Sequence, residues 1–227
     1  MNRFLLVCLM AILPAAWLPV QNAPISAPAL KDVMVTFSLK PNGSTEEAWR
    51  IVAFGNGTGT YSSHREGKWI DTPITLSSST LQKIGRSEAS VKRRDCETKL
   101  KNIAHTGQKR LMYGLGPTEL DCTFNYSDDD GVNAAAEAFQ AIAVTIHMGE
   151  QLKHSLRYDR LGLDEEIDSL VDEVKRGGAI EIQNIAPVLQ SLVDDDRVME
   201  RVKRKAAHLL EGAGIAVQNY TPDPSAR

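Results

Sequence analysis

The chain has 227 residues, 42% of them hydrophobic, and a formal net charge of −3 at pH 7. This length is sufficient for a sizeable hydrophobic core without a structural metal. The balance of charges argues against a nucleic-acid-binding protein, which normally has a marked basic excess on one face. The short basic runs at residues 92–94 and 201–205 lie among acidic residues, and we interpret them as solvated helix flanks.

The N-terminus has the order of features found in an export signal. Arg3 precedes an apolar run over residues 4–20, and a stretch rich in small residues and proline follows at residues 23–29. This order predicts a cleaved signal peptide over residues 1–23, with a cleavage site that the pattern does not fix. The alternative is a retained N-terminal anchor, because the run is close to the lower limit of roughly 17 residues for spanning a bilayer. We therefore expect a periplasmic or secreted protein, without membrane contact unless this segment is retained.

Residues 30–127 have the composition of a β-rich half. The first strand is predicted from apolar residues that alternate with polar ones: Val33, Val35, Phe37 and Leu39. Asn42-Gly43 and the glycines at residues 55–57 predict turns between strands. The next three strands are expected at residues 48–54, 58–63 and 72–76. Residues 64–69 are expected to form a polar loop, and a short helix capped by a residue among 78–80 should follow the fourth strand.

Three more strands are predicted, at residues 101–105, 109–113 and 119–126. In the last one Cys122 shares a face with Leu120 and Phe124, so its side chain should point into the core. Cleavage of the leader removes Cys8 and leaves only Cys96 and Cys122. In an oxidising compartment two such thiols usually pair. We predict a Cys96–Cys122 disulfide in the β-rich half, and two free buried thiols are the alternative.

Residues 128–214 predict a helical half of about four helices, packed with the β-rich half. The first should run from the acidic residues 128–130 to about residue 156, weakened at Gly149, and lie across the sheet. Its apolar stripe comprises Val132, Ala135, Phe139, Ile142 and Ile146. The remaining helices are expected to start near residues 164 and 182 and after residue 196, and residues 215–227 are expected to form a flexible tail. The predicted fold class is α+β: an N-terminal antiparallel sheet with a short helix, then the helical half.

One set of residues on the first long helix has the spacing of a metal site: His147, Glu150 and His154. Steps of three and four residues place them on one side of the helix, where they could hold a divalent metal. By helical phase they flank the apolar stripe, so two surface histidines beside a glutamate are the simpler interpretation.

Other signatures of catalysis are weaker. The residue types of a serine hydrolase occur close together in the chain, as Ser62, Ser63, His64 and Asp71. Such groups collect in polar loops by chance, and the sequence has neither a Gly-x-Ser-x-Gly turn nor a His-Glu-x-x-His motif. The acidic runs at residues 128–130 and 194–196 lack the alternating acidic spacing of a calcium loop, and helix capping explains both.

Two functional classes follow. The favoured one is an exported, non-catalytic domain that binds an unknown envelope or extracellular partner, a polymer or a small ligand, through the sheet face or the groove between sheet and helices. It needs no catalytic residue and no cofactor, and it does not bind nucleic acid. The alternative is a metal-assisted hydrolase that uses a divalent metal held by His147, Glu150 and His154.

Overall fold

The alternating apolar residues form one antiparallel sheet in a computed structural model, which describes residues 34–65, 67–88, 91, 96–98, 104, 107–114, 120–218 and 220. The predicted leader and residues 221–227 lie outside the described residues. So does the predicted strand at residues 101–105, except for Ala104, which is not in a strand. The six strands are β1 (Met34–Lys40), β2 (Trp49–Phe54), β3 (Thr58–Arg65), β4 (Lys68–Thr75), β5 (Gln108–Tyr113) and β6 (Leu120–Phe124).

The strands lie in the order β4-β3-β2-β1-β5-β6. β1 is therefore central, and Phe37 in its middle is the cross-strand partner of both Ile51 and Leu111. Because side chains alternate across a sheet, Phe37, Ile51 and Leu111 point to the same face. All three are fully buried, so this face is the one that forms the core.

The predicted turns between the first three strands are present, and one predicted loop is not. Gly43 and Gly57 both have positive φ, 78° and 87°, in the two turns. The loop predicted at residues 64–69 is wrong: β3 continues through Arg65, and β4 begins at Lys68. His64 lies opposite Trp69 in this hairpin. The polar side chains belong to exposed strand positions at the edge of the sheet, where polarity does not indicate a loop.

Five α-helices are described: α1 (Ser78–Gly85), α2 (Asp130–Tyr158), α3 (Leu163–Arg176), α4 (Ala186–Asp194) and α5 (Glu200–Gly212). A 3-10 turn, Ile182–Ile185, precedes α4. α2 begins as predicted after an acidic cap, since the Asp129 carboxylate accepts hydrogen bonds from the backbone N–H groups of Gly131 and Val132. It is continuous through Gly149, so the weakening predicted there is not observed.

α2 packs across the core face of the sheet, as its apolar stripe predicts. The ring of Phe139 stacks on that of Phe37, with centroids 5.1 Å apart and planes 6° from parallel. On the side of α2 away from the sheet, the other helices bury a second set of aliphatic side chains: Leu163, Leu170, Leu189, Leu192 and Leu210. The helical half is therefore continuous with the β-rich half through α2.

Further polar contacts join the helices to one another and to the C-terminal segment. Asp164 on α3 pairs with Arg201 and Lys205 on α5, at 2.9 and 3.0 Å. Tyr220, in the segment predicted to be flexible, donates a hydrogen bond to Glu200 at 2.8 Å. Within the described part of the chain, no helix combines the length and apolar character that crossing a bilayer requires.

Candidate functional site

The sheet face that points away from α2 carries a row of polar side chains in register. Ser38 on β1, Arg50 on β2, Ser62 on β3 and Asp71 on β4 are successive cross-strand partners. On the other side of β1, Ser38 faces Arg110 on β5. The alternation that sends Phe37 and Ile51 into the core sends their neighbours Ser38 and Arg50 to this second face. We call it the open face.

Two buried serines hold carboxylates on the open face. Ser62 is only 3% exposed, and its hydroxyl donates to Oδ1 of Asp71 at 2.6 Å. Ser38 makes the equivalent bond to Oε1 of Glu47 at 2.7 Å. In each carboxylate the second oxygen keeps its capacity to accept from a ligand. The two serines on the strands therefore fix the orientation of the two carboxylates.

Arg50 lies between these two serine–carboxylate pairs. Its guanidinium carbon is 4.6 Å from the centre of the Trp69 ring, a cation–π contact. His64 also contacts this ring, at 5.3 Å between centroids, and its Nδ1 lies 3.1 Å from a Glu46 carboxylate oxygen. Among the described residues, no carboxylate forms an ion pair with Arg50. By contrast, Arg110 on the same face is bound by Asp121 through two nitrogens.

The serine-hydrolase residues are only partly brought together. Ser62 bonds directly to Asp71, while the His64 imidazole pairs with Glu46. Ser63 follows Ser62 in β3 and so points to the opposite face. A serine nucleophile requires a base that takes its proton. Here the Ser62 proton is directed to a carboxylate and not to the imidazole, so the arrangement is that of a structural hydrogen bond.

His147, Glu150 and His154 lie on α2 as predicted, but each has its own surroundings. The Glu150 carboxylate is bonded to the guanidinium of Arg65 on β3. The His154 ring packs against Tyr158, with centroids 4.8 Å apart, and His147 is exposed. Across the described ranges, no three His, Cys, Asp or Glu side chains are grouped so that they could hold a metal ion. Glu150 instead ties the helix to the sheet.

The structure brings Cys96 and Cys122 together. Their sulfur atoms lie at disulfide-bonding distance, and their Cα atoms are 6.0 Å apart, within the range that a disulfide spans. Both residues are 4% exposed and belong to the core, Cys122 as a residue of β6. Such burial fits a structural role, because reactive cysteines lie in partially exposed, electropositive surroundings.

A groove of about 570 Å³ lies where α1 meets the helical half, lined in part by Lys83, Ile180 and Leu209. At its edge Glu181 has a positive φ of 59°, the only such non-glycine residue among those described. Its buried carboxylate accepts hydrogen bonds from the backbone N–H and the hydroxyl of Ser77. Burial would raise the pKa of Glu181, but hydrogen bonds from Thr80, Gln183 and Ser77 outweigh it and hold the pKa below its usual value.

The Glu181 carboxylate is therefore engaged by groups of its own chain. It caps the start of α1, and Gln183 completes its hydrogen bonds. A ligand in the groove would meet an apolar floor and a carboxylate that is already engaged. The open face has the stronger set of available groups.

No protein-family model and no curated protein matches the chain. Its own side chains are therefore the guide to its function.

Sequence reasoning did not single out Arg50, Trp69 or Glu47. Once the strands are in register, Arg50 falls on the polar side of β2, between buried Ile51 and half-buried Trp49. The signal that could have located it is the period of two in residues 49–54. The prediction of a loop over residues 64–69 leaves Trp69 out of the sheet and therefore out of the candidate site.

Proposed function

We propose that the chain is an exported, non-catalytic binding domain that recognises a hydroxyl-rich polymer, such as a cell-surface polysaccharide, on the open face of its sheet. The observation that carries this proposal is Arg50, a stacked guanidinium that lacks an ion-pair partner in the described part of the chain and lies between two serine-held carboxylates.

The groups on this face match a ligand that offers donors and acceptors side by side. The guanidinium of Arg50 donates only, whereas the carboxylates of Glu47 and Asp71 accept only. A sugar hydroxyl both donates and accepts, so a row of hydroxyls can satisfy the three groups together. The mixed charge of the face also disfavours a polyanion, which would be repelled by the two carboxylates.

Export is supported by the leader pattern at residues 1–23 and by the proximity of Cys96 and Cys122. Disulfides persist mainly in oxidising compartments. A non-catalytic role is supported by the partners of the candidate catalytic groups, since Glu150 is paired with Arg65 and Ser62 with Asp71. No observation favours the alternative metal-assisted hydrolase.

The proposal is tested by binding of the purified chain to an array of envelope and extracellular polysaccharides. We expect retention of at least one polymer, and a loss of affinity of at least about tenfold in Arg50→Ala, because hydrogen bonds to charged groups contribute about 1.5–3 kcal/mol each. Arg157→Ala is the matched control, since that guanidinium also stacks on an aromatic ring, that of Tyr158, but lies on α2 and not on the open face.

Retention of no polymer, or equal binding by Arg50→Ala and the wild type, would overturn the proposal. A chain that instead bound a protein through the same residues would keep the open face as the site and replace the polymer by a protein partner.

A further inference from the structure

β4 forms one of the two edges of the sheet, and its backbone groups alternate in direction. The N–H of Leu76, just after β4, donates inward to Gly57 at 2.8 Å. The N–H of Thr75 points outward and donates to the Asn184 side chain at 2.7 Å. Since every second residue of a strand has the same orientation, Pro73, Asp71 and Trp69 share the outward direction of Thr75.

Part of this edge is already closed. Gln183 and Asn184 both donate to the carbonyl of Thr75, so the end of β4 is capped by side chains that imitate a further strand. Pro73 has no N–H to offer. Proteins commonly protect sheet edges with such devices. Among the described residues, the outward N–H and C=O groups of Trp69 and Asp71 have no equivalent partner.

The unprotected part of the edge also carries exposed apolar side chains. Trp69 is 39% exposed on the open face, and Ile70 is 46% exposed on the other face. An unpaired edge with exposed apolar residues on both faces is a template for a further strand. The unpaired groups and the exposed side chains coincide in residues 69–71.

We propose that this edge pairs with the same edge of a second copy of the chain, through antiparallel β4 strands centred on Ile70. In this register Trp69 lies opposite Asp71 of the second copy, and the two residues exchange both backbone hydrogen bonds. By symmetry, Asp71 of the first copy pairs in the same way with Trp69 of the second. The outward N–H and C=O groups of Trp69 and Asp71 are therefore all bonded in each chain. Ile70 then lies on the two-fold axis against its own copy, and both side chains are buried.

The same register is compatible with the charges of the strand. Lys68 lies opposite Thr72 and Trp69 opposite Asp71, so no charged residue faces another of its own sign. Directly opposed like charges destabilise a strand pair. Because only residues 68–72 of each chain take part, the interface is small, and we expect a weak, reversible dimer. The pairing does not depend on ligand binding at the open face.

Sedimentation equilibrium of the purified chain over a range of concentrations tests the proposal. The wild type should show a reversible monomer–dimer equilibrium. Ile70→Lys should raise the dissociation constant at least about tenfold, because two lysines would then meet on the axis. Leu161→Lys is the control: Leu161 is 85% exposed at the turn between α2 and α3, so this variant should dimerise like the wild type.

Cross-linking gives a second measurement that tolerates any loss of stability in the lysine variant. Residues opposed on the axis as a non-hydrogen-bonded pair have Cα atoms about 4.5 Å apart, a separation that a disulfide can span. Ile70→Cys should therefore form a covalent dimer on oxidation, much faster than Leu161→Cys. A wild type that stays monomeric at every concentration, or equal cross-linking of the two cysteine variants, would overturn the proposal.

Discussion

Gly149 lies within α2 and faces Ile185 of the 3-10 turn that precedes α4. A Cβ atom at this position would lie 2.3 Å from Cγ2 of Ile185. We expect Gly149→Ala to destabilise the fold by about 1 kcal/mol, because an overpacking cost of roughly 1–3 kcal/mol is offset in part by a helix-propensity gain of up to about 1 kcal/mol. The measurement is the free energy of unfolding in denaturant.

The matched control for this substitution is Gly212→Ala at the end of α5. A Cβ there has no neighbouring atom within 4 Å. The alanine should leave stability unchanged or raise it by up to about 1 kcal/mol, through helix propensity alone. If both variants behaved alike, the close packing of Gly149 against Ile185 would be disproved.

The predicted metal site shows what the sequence of one helix cannot indicate about contacts with other elements. The spacing of His147, Glu150 and His154 correctly predicted that all three lie on one helix. It could not indicate that Glu150 pairs with Arg65, since that partner is far away in sequence and is set by how α2 crosses the sheet. A contact between elements is not encoded in the periodicity of either one.

Glu181, which directly precedes the 3-10 turn, connects this region to the first turn of α1. The pKa of its carboxyl in the folded protein is below that in the unfolded chain. Its ionised form therefore stabilises the fold above the unfolded pKa of about 4.3, and this contribution is lost as the pH falls through the lower, folded pKa.

We expect Glu181→Gln to lower the free energy of unfolding by about 2 kcal/mol at pH 7, the range for a hydrogen bond to a charged group. The difference from the wild type should shrink as the pH falls below the unfolded pKa of about 4.3 and through the lower folded pKa, because the wild-type carboxylate then takes up its proton. Chemical denaturation of both proteins across this pH range is the measurement. Glu137→Gln, an exposed position on α2, is the control and should show no such pH-dependent difference.

Elements differed in how well the sequence predicted them. The helices were found because apolar residues at three- and four-residue steps form a stripe that must be buried, as in α2 and α3. The hairpin of β3 and β4 was missed in part because its outer residues, such as His64 and Lys68, are polar on an exposed edge. Without a buried face, alternation gives no signal.

Cys96 and Cys122 close a loop in the β-rich half, with a sequence separation of 26. Loop entropy predicts a stabilisation of about 3.5 kcal/mol at most. A chain produced with its leader should lack an N-terminal segment that includes Cys8 and contain no free thiol. A leaderless chain kept in a reducing cytosol should contain both thiols and melt at a lower temperature. Intact mass, thiol titration and thermal melting are the measurements.

The double variant Cys96→Ala/Cys122→Ala provides the control for this experiment. Its melting temperature should be the same with and without reductant, and reductant should bring the wild type close to it. An unprocessed product with two free thiols in the cell interior would contradict both the leader and the disulfide.

The central place of β1 has a consequence for how the chain can form. Its partner on one side, β2, follows closely in the sequence, whereas its partner on the other side is supplied by residues 108–113. During synthesis the first four strands can assemble as a meander, but one edge of β1 has no partner strand until β5 has been synthesised. In a nascent or truncated chain that ends before residue 108, this unpaired edge of β1 would be accessible to other chains. Premature termination should therefore favour aggregation over a smaller stable domain.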